Sequence, residues 1–177
     1  RACDALWLHN GAPRAPHAEL TSGRCSNGFV DVLRVLRYTN LCQLMADQLE
    51  RKMRQQYNGV IDWVVGSDHA GATLSFAVAA SMRALHDFTE KGPNKTQVWK
   101  RFEIQPGQVV LQIEELVTTT GTLQAVREGI NTGNPHLVTF APLTLCLVHR
   151  APIYEFADSP IMSLIHFDIE SWTPEEC

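Results

Sequence analysis

Apolar positions along the chain follow two different spacings. Between Asn40 and Met53 they recur at helical intervals, as Leu41, Leu44, Met45, Leu49 and Met53, with Asn40 placed to cap the start. Asn58-Gly59 ends that helix. Val60-Ile61-Asp62-Trp63-Val64-Val65 is a compact apolar run between glycines, the pattern of a short buried strand. Gly66 to Gly71 then predicts a tight loop, and the alanine-rich stretch Leu74 to Leu85 a well-buried helix. A second unit has the same order. Pro106-Gly107 forms a turn, Val109 to Ile113 a strand with Glu114 and Glu115 at its end, Thr118 to Thr122 a loop, and Leu123 to Ile130 a helix. A third strand occupies part of His136 to Val148. Pro142 must sit there at an edge or a bulge, because proline cannot donate to the ladder. Strand, loop, helix, strand in succession predicts an α/β fold, a parallel-rich central sheet flanked by helices, within one domain over 1–177. In such sheets ligands bind beyond the carboxyl ends of the strands, where both loops lie.

Composition narrows the function. Apolar residues make up 45% of the 177 and charged residues 19%, ordinary values for a globular domain. No apolar run reaches the roughly 18 residues of a membrane span. A net charge of -4 argues against nucleic acid as partner, since phosphate contacts need clustered basic surface. Cys3, Cys25, Cys42, Cys146 and Cys177 are scattered, odd in number and form no CxxC pair. Neither a disulfide framework nor a complete zinc site is indicated, and a reducing cytoplasm is expected. The sequence opens at Arg1 rather than a methionine, which leaves a removed targeting segment open.

One segment carries chemistry. Ile113 to Thr122 reads IEELVTTTGT, a strand that delivers two carboxylates into a hydroxyl-rich turn opening a helix. Unpaired amides and the partial positive charge of a helix start suit a phosphate. Carboxylates so near cannot share that phosphate, and suit sugar hydroxyls or a magnesium ion carried on the ligand. The plainer alternative is an acidic strand end followed by a threonine cap. Neither the P-loop nor the dinucleotide glycine fingerprint is present. Asp68-His69 is an adjacent pair on a loop, whose side chains usually diverge. His86, His136, His149 and His166 lack metal-ligand spacing. Lys91 to Arg101 alone reads as a solvated charged loop, and Trp63, Trp99 and Trp172 as packing residues.

These stretches, taken in order, resemble the type I phosphoribosyltransferases, and most closely the orotate branch. Ile113 to Thr122 is similar to the family's phosphoribosyl-diphosphate motif. Leu20-Thr21-Ser22-Gly23-Arg24, with Ser26 and Asp31 beyond, resembles the branch's amino-terminal segment. Val64-Val65-Gly66 to Gly71 resembles its diphosphate loop. Phe88 to Lys91 and Lys100 to Phe102 resemble the two ends of its flexible basic loop. Leu147-Val148-His149-Arg150 and the tail Glu170 to Cys177 match a subgroup whose chains continue past that cysteine.

The resemblance implies transfer of a 5-phosphoribosyl group from phosphoribosyl diphosphate to a base, orotate foremost. A regulatory or structural protein that kept the fold and lost turnover is the alternative. Glu114 and Glu115 would grip the ribose hydroxyls, and Thr118, Thr119, Thr120, Gly121 and Thr122 the 5-phosphate. Gly66, Ser67, Asp68 and Gly71 would form the diphosphate loop. Lys91, Lys95, Lys100 and Arg101 would cover the leaving group, and Ser22, Gly23, Arg24 and Arg150 would face the base. Magnesium, small-molecule substrates, a cytoplasmic homodimer, and a small hood from about 1–35 and 151–177 over a core of about 36–150 are further implications. The sequence departs from the family at Thr120, where a glycine is usual, at Ser67, Asp68 and Ala70 in the diphosphate loop, and at Cys25 and Phe29. A carboxylate at Asp68 would repel a bound diphosphate.

Overall fold

A computed structural model of the chain describes residues 3–20, 22–150 and 152–177. Four short strands come first: β1 (Leu6–Leu8), β2 (Ala18–Glu19), β3 (Cys25–Ser26) and β4 (Gly28–Val30). The single-turn helix α1 (Leu33–Leu36) and the long helix α2 (Thr39–Arg54) follow. Next are β5 (Trp63–Ser67), α3 (Ala70–Met82), β6 (Leu85–Lys91), a 3-10 turn at Pro93–Lys95 and β7 (Gln97–Val98). β8 (Val109–Val117), α4 (Gly121–Thr132), β9 (Thr139–His149), β10 (Glu155–Phe156), β11 (Ser159–His166) and β12 (Ser171–Trp172) complete the chain.

The main sheet has the order β10-β11-β9-β8-β5-β6-β7. Its inner five strands are parallel, and β10 and β7 pair antiparallel at the edges. Alternation along the inner strands explains the layers, because successive side chains face opposite sides. Val64, Leu111, Ile113, Leu145 and Leu147 pack on one side with α2 and α3. Trp63, Val65 and Val110 pack on the other with Val126 and Ile130 of α4. Helices therefore cover both faces of a largely parallel sheet, as the strand-helix alternation predicts.

Several elements differ from the sequence expectation. α2 buries Cys42, Ala46, Leu49 and Met53, a stripe at helical spacing, but begins behind Tyr38, so Asn40 lies inside it. Val60 is exposed, and β5 starts three residues later. The second helix is Ala70–Met82 rather than Leu74 to Leu85. It stops at Arg83, which takes a left-handed φ of 56°, and Leu85 already begins β6. β8 runs four residues past Ile113, so Glu114 and Glu115 are strand residues. Pro142 does lie in a bulge: Val110 pairs with Phe140 but Gln112 with Thr144. β6 and β11 had no counterpart in the expectation. Both carry polar residues among the apolar ones, which blurs the strand signal.

Two small sheets, β1-β4 and β12-β3-β2, stand beside the main one. In the second, Trp172 pairs with Cys25 and Ser171 with Ser26, so the last strand closes on the amino-terminal segment. Ser26 reinforces the junction by donating to the Glu170 carbonyl at 2.7 Å.

Candidate functional site

The carboxyl ends of β5 and β8 meet at the acidic pair. Glu114 is 3% exposed, and its Oε2 accepts a hydrogen bond from the Ser67 hydroxyl at 2.9 Å. Glu114 Oε1 and Glu115 Oε2 are buried with no donor among the described residues. Burial pushes the Glu114 carboxyl well above the usual range, the adjacent Glu115 carboxylate adds to this, and the Ser67 hydrogen bond opposes it. Glu114 thus resists ionising, and the pair presents acceptor oxygens that lack donors among the described residues.

The loop beside it is tightly built. A methyl group at Gly71 would lie 2.8 Å from Ser67 Oγ and 3.1 Å from Glu114 Oε2, and one at Gly66 would run into the Gly71 carbonyl. These glycines let the first turn of α3 sit directly on β5 and β8. Between them His69 holds φ 65°, ψ -104°, a conformation that non-glycine residues rarely adopt. The Asp68 carboxylate faces Lys91 Nζ at 3.5 Å. The expected repulsive charge therefore has its own counter-ion.

Thr118 and Thr119 are exposed on the turn that leads into α4. No side chain caps the start of that helix, so its first amides remain free donors. Thr120 has φ -86°, an ordinary value, so the backbone here does not require the usual glycine. A methyl at Gly121 would meet only Thr119 Oγ1, at 3.7 Å, and the Thr122 side chain is exposed. The helix start is fixed from below by the buried Gln112, which donates to the Leu123 carbonyl at 2.9 Å and accepts from Arg127 Nε at 3.0 Å.

The basic segment is ordered as a short hairpin, with Lys91 paired to Gln97 and Glu90 to Val98. Trp99 anchors it, 3% exposed and edge-on to Trp63. Glu90 draws in Lys100 at 2.7 Å and Arg101 at 3.8 Å. Asp68, His69, Phe88, Glu90, Lys91 and Arg101 line one cleft. Lys91 and Arg101 thus come beside the Gly66–Gly71 loop, and Lys100 joins them through Glu90. Lys95 does not. It lines a separate hollow with Gln97, Trp99, Glu128 and Gly133, against α4.

On the far side, Ser22 and Gly23 form an exposed turn, with Gly23 at φ 75°. Thr21 lies outside the described residues. The Arg24 guanidinium donates to the Ser171 carbonyl at 2.7 Å and faces Ser171 Oγ at 3.3 Å, so it holds β12 in place. Arg150 is half-buried and lines a cleft of about 620 Å³ with Tyr154, His166, Asp168, Glu170 and Trp172. Behind it stands a group that the sequence spacing conceals. His149 and His166 occupy matched positions on neighbouring parallel strands, Nδ1 to Nδ1 3.4 Å, and His166 Nε2 lies 3.0 Å from Asp168 Oδ1. The Tyr154 ring stacks on His166. Burial and the neighbouring His166 lower the His149 pKa. The available signal was a histidine at or near the end of each of two apolar runs. Among the described residues no three His, Cys, Asp or Glu side chains gather tightly enough to hold a metal ion, and no helix is long and apolar enough to cross a membrane.

Comparison with known proteins places this geometry. No family model matches the chain. The orotate phosphoribosyltransferase of Caldicellulosiruptor bescii is 27% identical over 161 residues, 91% of this chain and 81% of that protein. Among solved structures, orotate phosphoribosyltransferase from Aeropyrum pernix superposes with a TM-score of 0.66 at 18% identity, over 94% of this chain and 90% of that one. Leishmania donovani UMP synthase gives 0.67 at 17% identity over 94% of this chain, which spans about a third (34%) of that enzyme. The chain has the type I phosphoribosyltransferase fold, and it is similar along nearly its whole length to the orotate phosphoribosyltransferases.

Proposed function

We propose that this chain transfers the 5-phosphoribosyl group of phosphoribosyl diphosphate to a nucleobase, orotate foremost, releasing diphosphate and giving orotidine 5'-phosphate. The observation that carries this reading is the Glu114-Glu115 pair, with two buried acceptor oxygens and no donors, next to the uncapped start of α4. Ribose hydroxyls are donors and complete the first; a 5-phosphate is an anion and completes the second. Thr118, Thr119 and Thr122 add hydroxyl donors around the phosphate. The diphosphate then falls toward Gly66–Gly71, within reach of Lys91 and Arg101. As it leaves, positive charge grows on the ribosyl carbon and negative charge on the departing oxygen, so fixed charges and positioning supply the rate. The base enters from the Arg150, Tyr154 and His166 side.

A magnesium ion fits the hard oxygen donors of the acidic pair, with Glu115 and Glu114 as the side chains that would hold it alongside the ligand's own oxygens. When bound it neutralises the leaving diphosphate. A cytoplasmic homodimer is part of the same reading; a groove lined by Leu33, Arg34, Leu36, Arg37 and Thr73 between α1 and α3 offers a surface for the pairing.

One observation favours a second reading, a protein that binds the ligand without turnover. Lys91, Lys100 and Arg101 already pair with Asp68 and Glu90. The deciding experiment measures diphosphate release from phosphoribosyl diphosphate and magnesium with orotate, uracil or adenine. Orotate-dependent release is expected, and the double substitution Glu114→Gln, Glu115→Gln is expected to abolish ligand binding while the circular dichroism stays unchanged. Binding without release for any base would select the second reading. Unchanged affinity in the double variant would remove both.

A further inference from the structure

Cys25 and Cys177 lie far apart in the sequence, yet the fold brings them together: Cys25 pairs with Trp172 across β3 and β12, and the Cys177 thiol is near enough to raise the Cys25 pKa. The fold makes this contact in steps. Trp172 pairs with Cys25, Arg24 grips Ser171, and the Glu176 carboxylate accepts from the Thr173 amide at 3.0 Å, so the last residues turn back over β3. His17 Nδ1 then lies 3.3 Å from Cys177 Sγ. His17 is itself held between His9, at 4.5 Å between ring centroids, and Trp172, at 5.1 Å. The His9 nitrogens are engaged elsewhere, with the Ala15 carbonyl at 3.1 Å and the Gly11 amide at 3.0 Å. Glu19 also lies here, paired with Cys25 across β2 and β3. Cys177 is exposed, Cys25 is half-buried, and Cys42 and Cys146 are buried.

We propose that Cys25 and Cys177 form a reversible disulfide clasp between the carboxyl-terminal segment and the amino-terminal sheet, with Cys177 as attacking thiol and His17 as its proton acceptor. The oxidant is a small-molecule disulfide of the glutathione class. The Cys177 proton moves to His17 Nδ1, and the thiolate attacks one sulfur of that disulfide, breaking its S–S bond and expelling one small thiolate. Cys25 then loses its proton to solvent base and attacks the Cys177 sulfur, expelling the second small thiolate. Two protein thiols are oxidised, one small disulfide is reduced, and two small thiols are formed. The order follows from access. Cys177 meets solvent, whereas Cys25 has its pKa raised by the thiol contact and by burial, and it acts once the mixed disulfide sits beside it. A disulfide needs its sulfurs about 2.05 Å apart. The two side chains are already neighbours, and Cys177 lies beyond the turn from Thr173 to Glu176, so the closing movement falls on the exposed Cys177 side.

The test equilibrates the chain in graded mixtures of reduced and oxidised glutathione, then alkylates free thiols and maps them by mass spectrometry. Two of the five cysteines should become protected together, with a Cys25–Cys177 linked peptide lighter by two hydrogens and restored by dithiothreitol. Cys25→Ser should stop at a glutathione adduct on Cys177, and Cys177→Ser should take up none at Cys25. His17→Gln should slow formation roughly tenfold, equivalent to about 1.4 kcal/mol, and leave the equilibrium poise unchanged. Protection of a different pair would overturn the proposal. So would an adduct on Cys177 that never resolves in the parent chain. One equivalent of zinc, held by the purified chain and lost in both serine variants, would also overturn it and mark a metal site instead.

Discussion

Replacing Gly71 by alanine puts a methyl group 2.8 Å from the Ser67 hydroxyl and 3.1 Å from the Glu114 carboxylate. Two effects oppose each other. Gly71 is the second residue of α3, where alanine gains up to about 1 kcal/mol in helix propensity and unfolded-state entropy. Against this, forcing a methyl into a filled contact costs typically about 1–3 kcal/mol, and disturbing the Ser67–Glu114 hydrogen bond about 1 kcal/mol more. The crowding wins, leaving a net loss of roughly 1–3 kcal/mol, or about 2–8 °C in melting temperature for a chain of this size. The partner variant Ser67→Ala removes the hydroxyl that the methyl strikes. Gly71→Ala should therefore be less harmful in a Ser67→Ala background, with a coupling energy of about 1 kcal/mol in a double-mutant cycle. Thermal unfolding of the four proteins measures it. A Gly71→Ala variant as stable as its parent, or strictly additive losses, would mean that β5, α3 and β8 do not meet as described.

Two further outcomes follow from the charges. Burial raises Glu114, so the native state holds its proton more tightly than the unfolded chain; the associated stability is complete below the unfolded value of 4.5 and is lost as pH rises through the raised native value. Glu114→Gln cannot ionise, so its urea midpoint should gain on the parent's as pH rises from 4.5 to the raised native value and level off above it; a gap that stays constant across that window would contradict the raised carboxyl. Asp68→Ala should leave stability within about 0.5 kcal/mol, because its partner Lys91 is largely exposed and at 3.5 Å, yet calorimetry should find phosphoribosyl diphosphate binding severalfold tighter once Lys91 is free. Equal affinities would mean that Lys91 plays no part in the site.

Much of the fold was legible in the chain. The helix α2, the apolar core of β5 and the run Val109 to Ile113 read correctly as elements because their apolar positions repeat at the period of each structure, although in α2 Leu44 is exposed and Cys42 and Ala46 join Leu49 and Met53 in the core. The missed and shortened strands share one cause. β6 and β11 mix polar residues into their apolar positions, and they are strands because β5 and β9 offer them parallel partners. β8 continues through Glu114 and Glu115 because β9 pairs with it as far as His149.

The site divides in the same way. Local sequence determined the acidic pair and the threonine turn, since strand, turn and helix start are contiguous from Ile113 to Thr122. Tertiary structure decided which charges meet. Lys95 and Lys91 are close in sequence, but the left-handed turn at Asn94 and Lys95 sends one against α4 and leaves the other at Asp68. Arg24 is held by Ser171, His149 meets His166 through strand register, and Cys25 comes near Cys177 through the closure of β12 on β3. A chain records its local periods and turns directly. Pairing between distant residues depends on how separate strands and helices pack together, and that is a property of the whole fold.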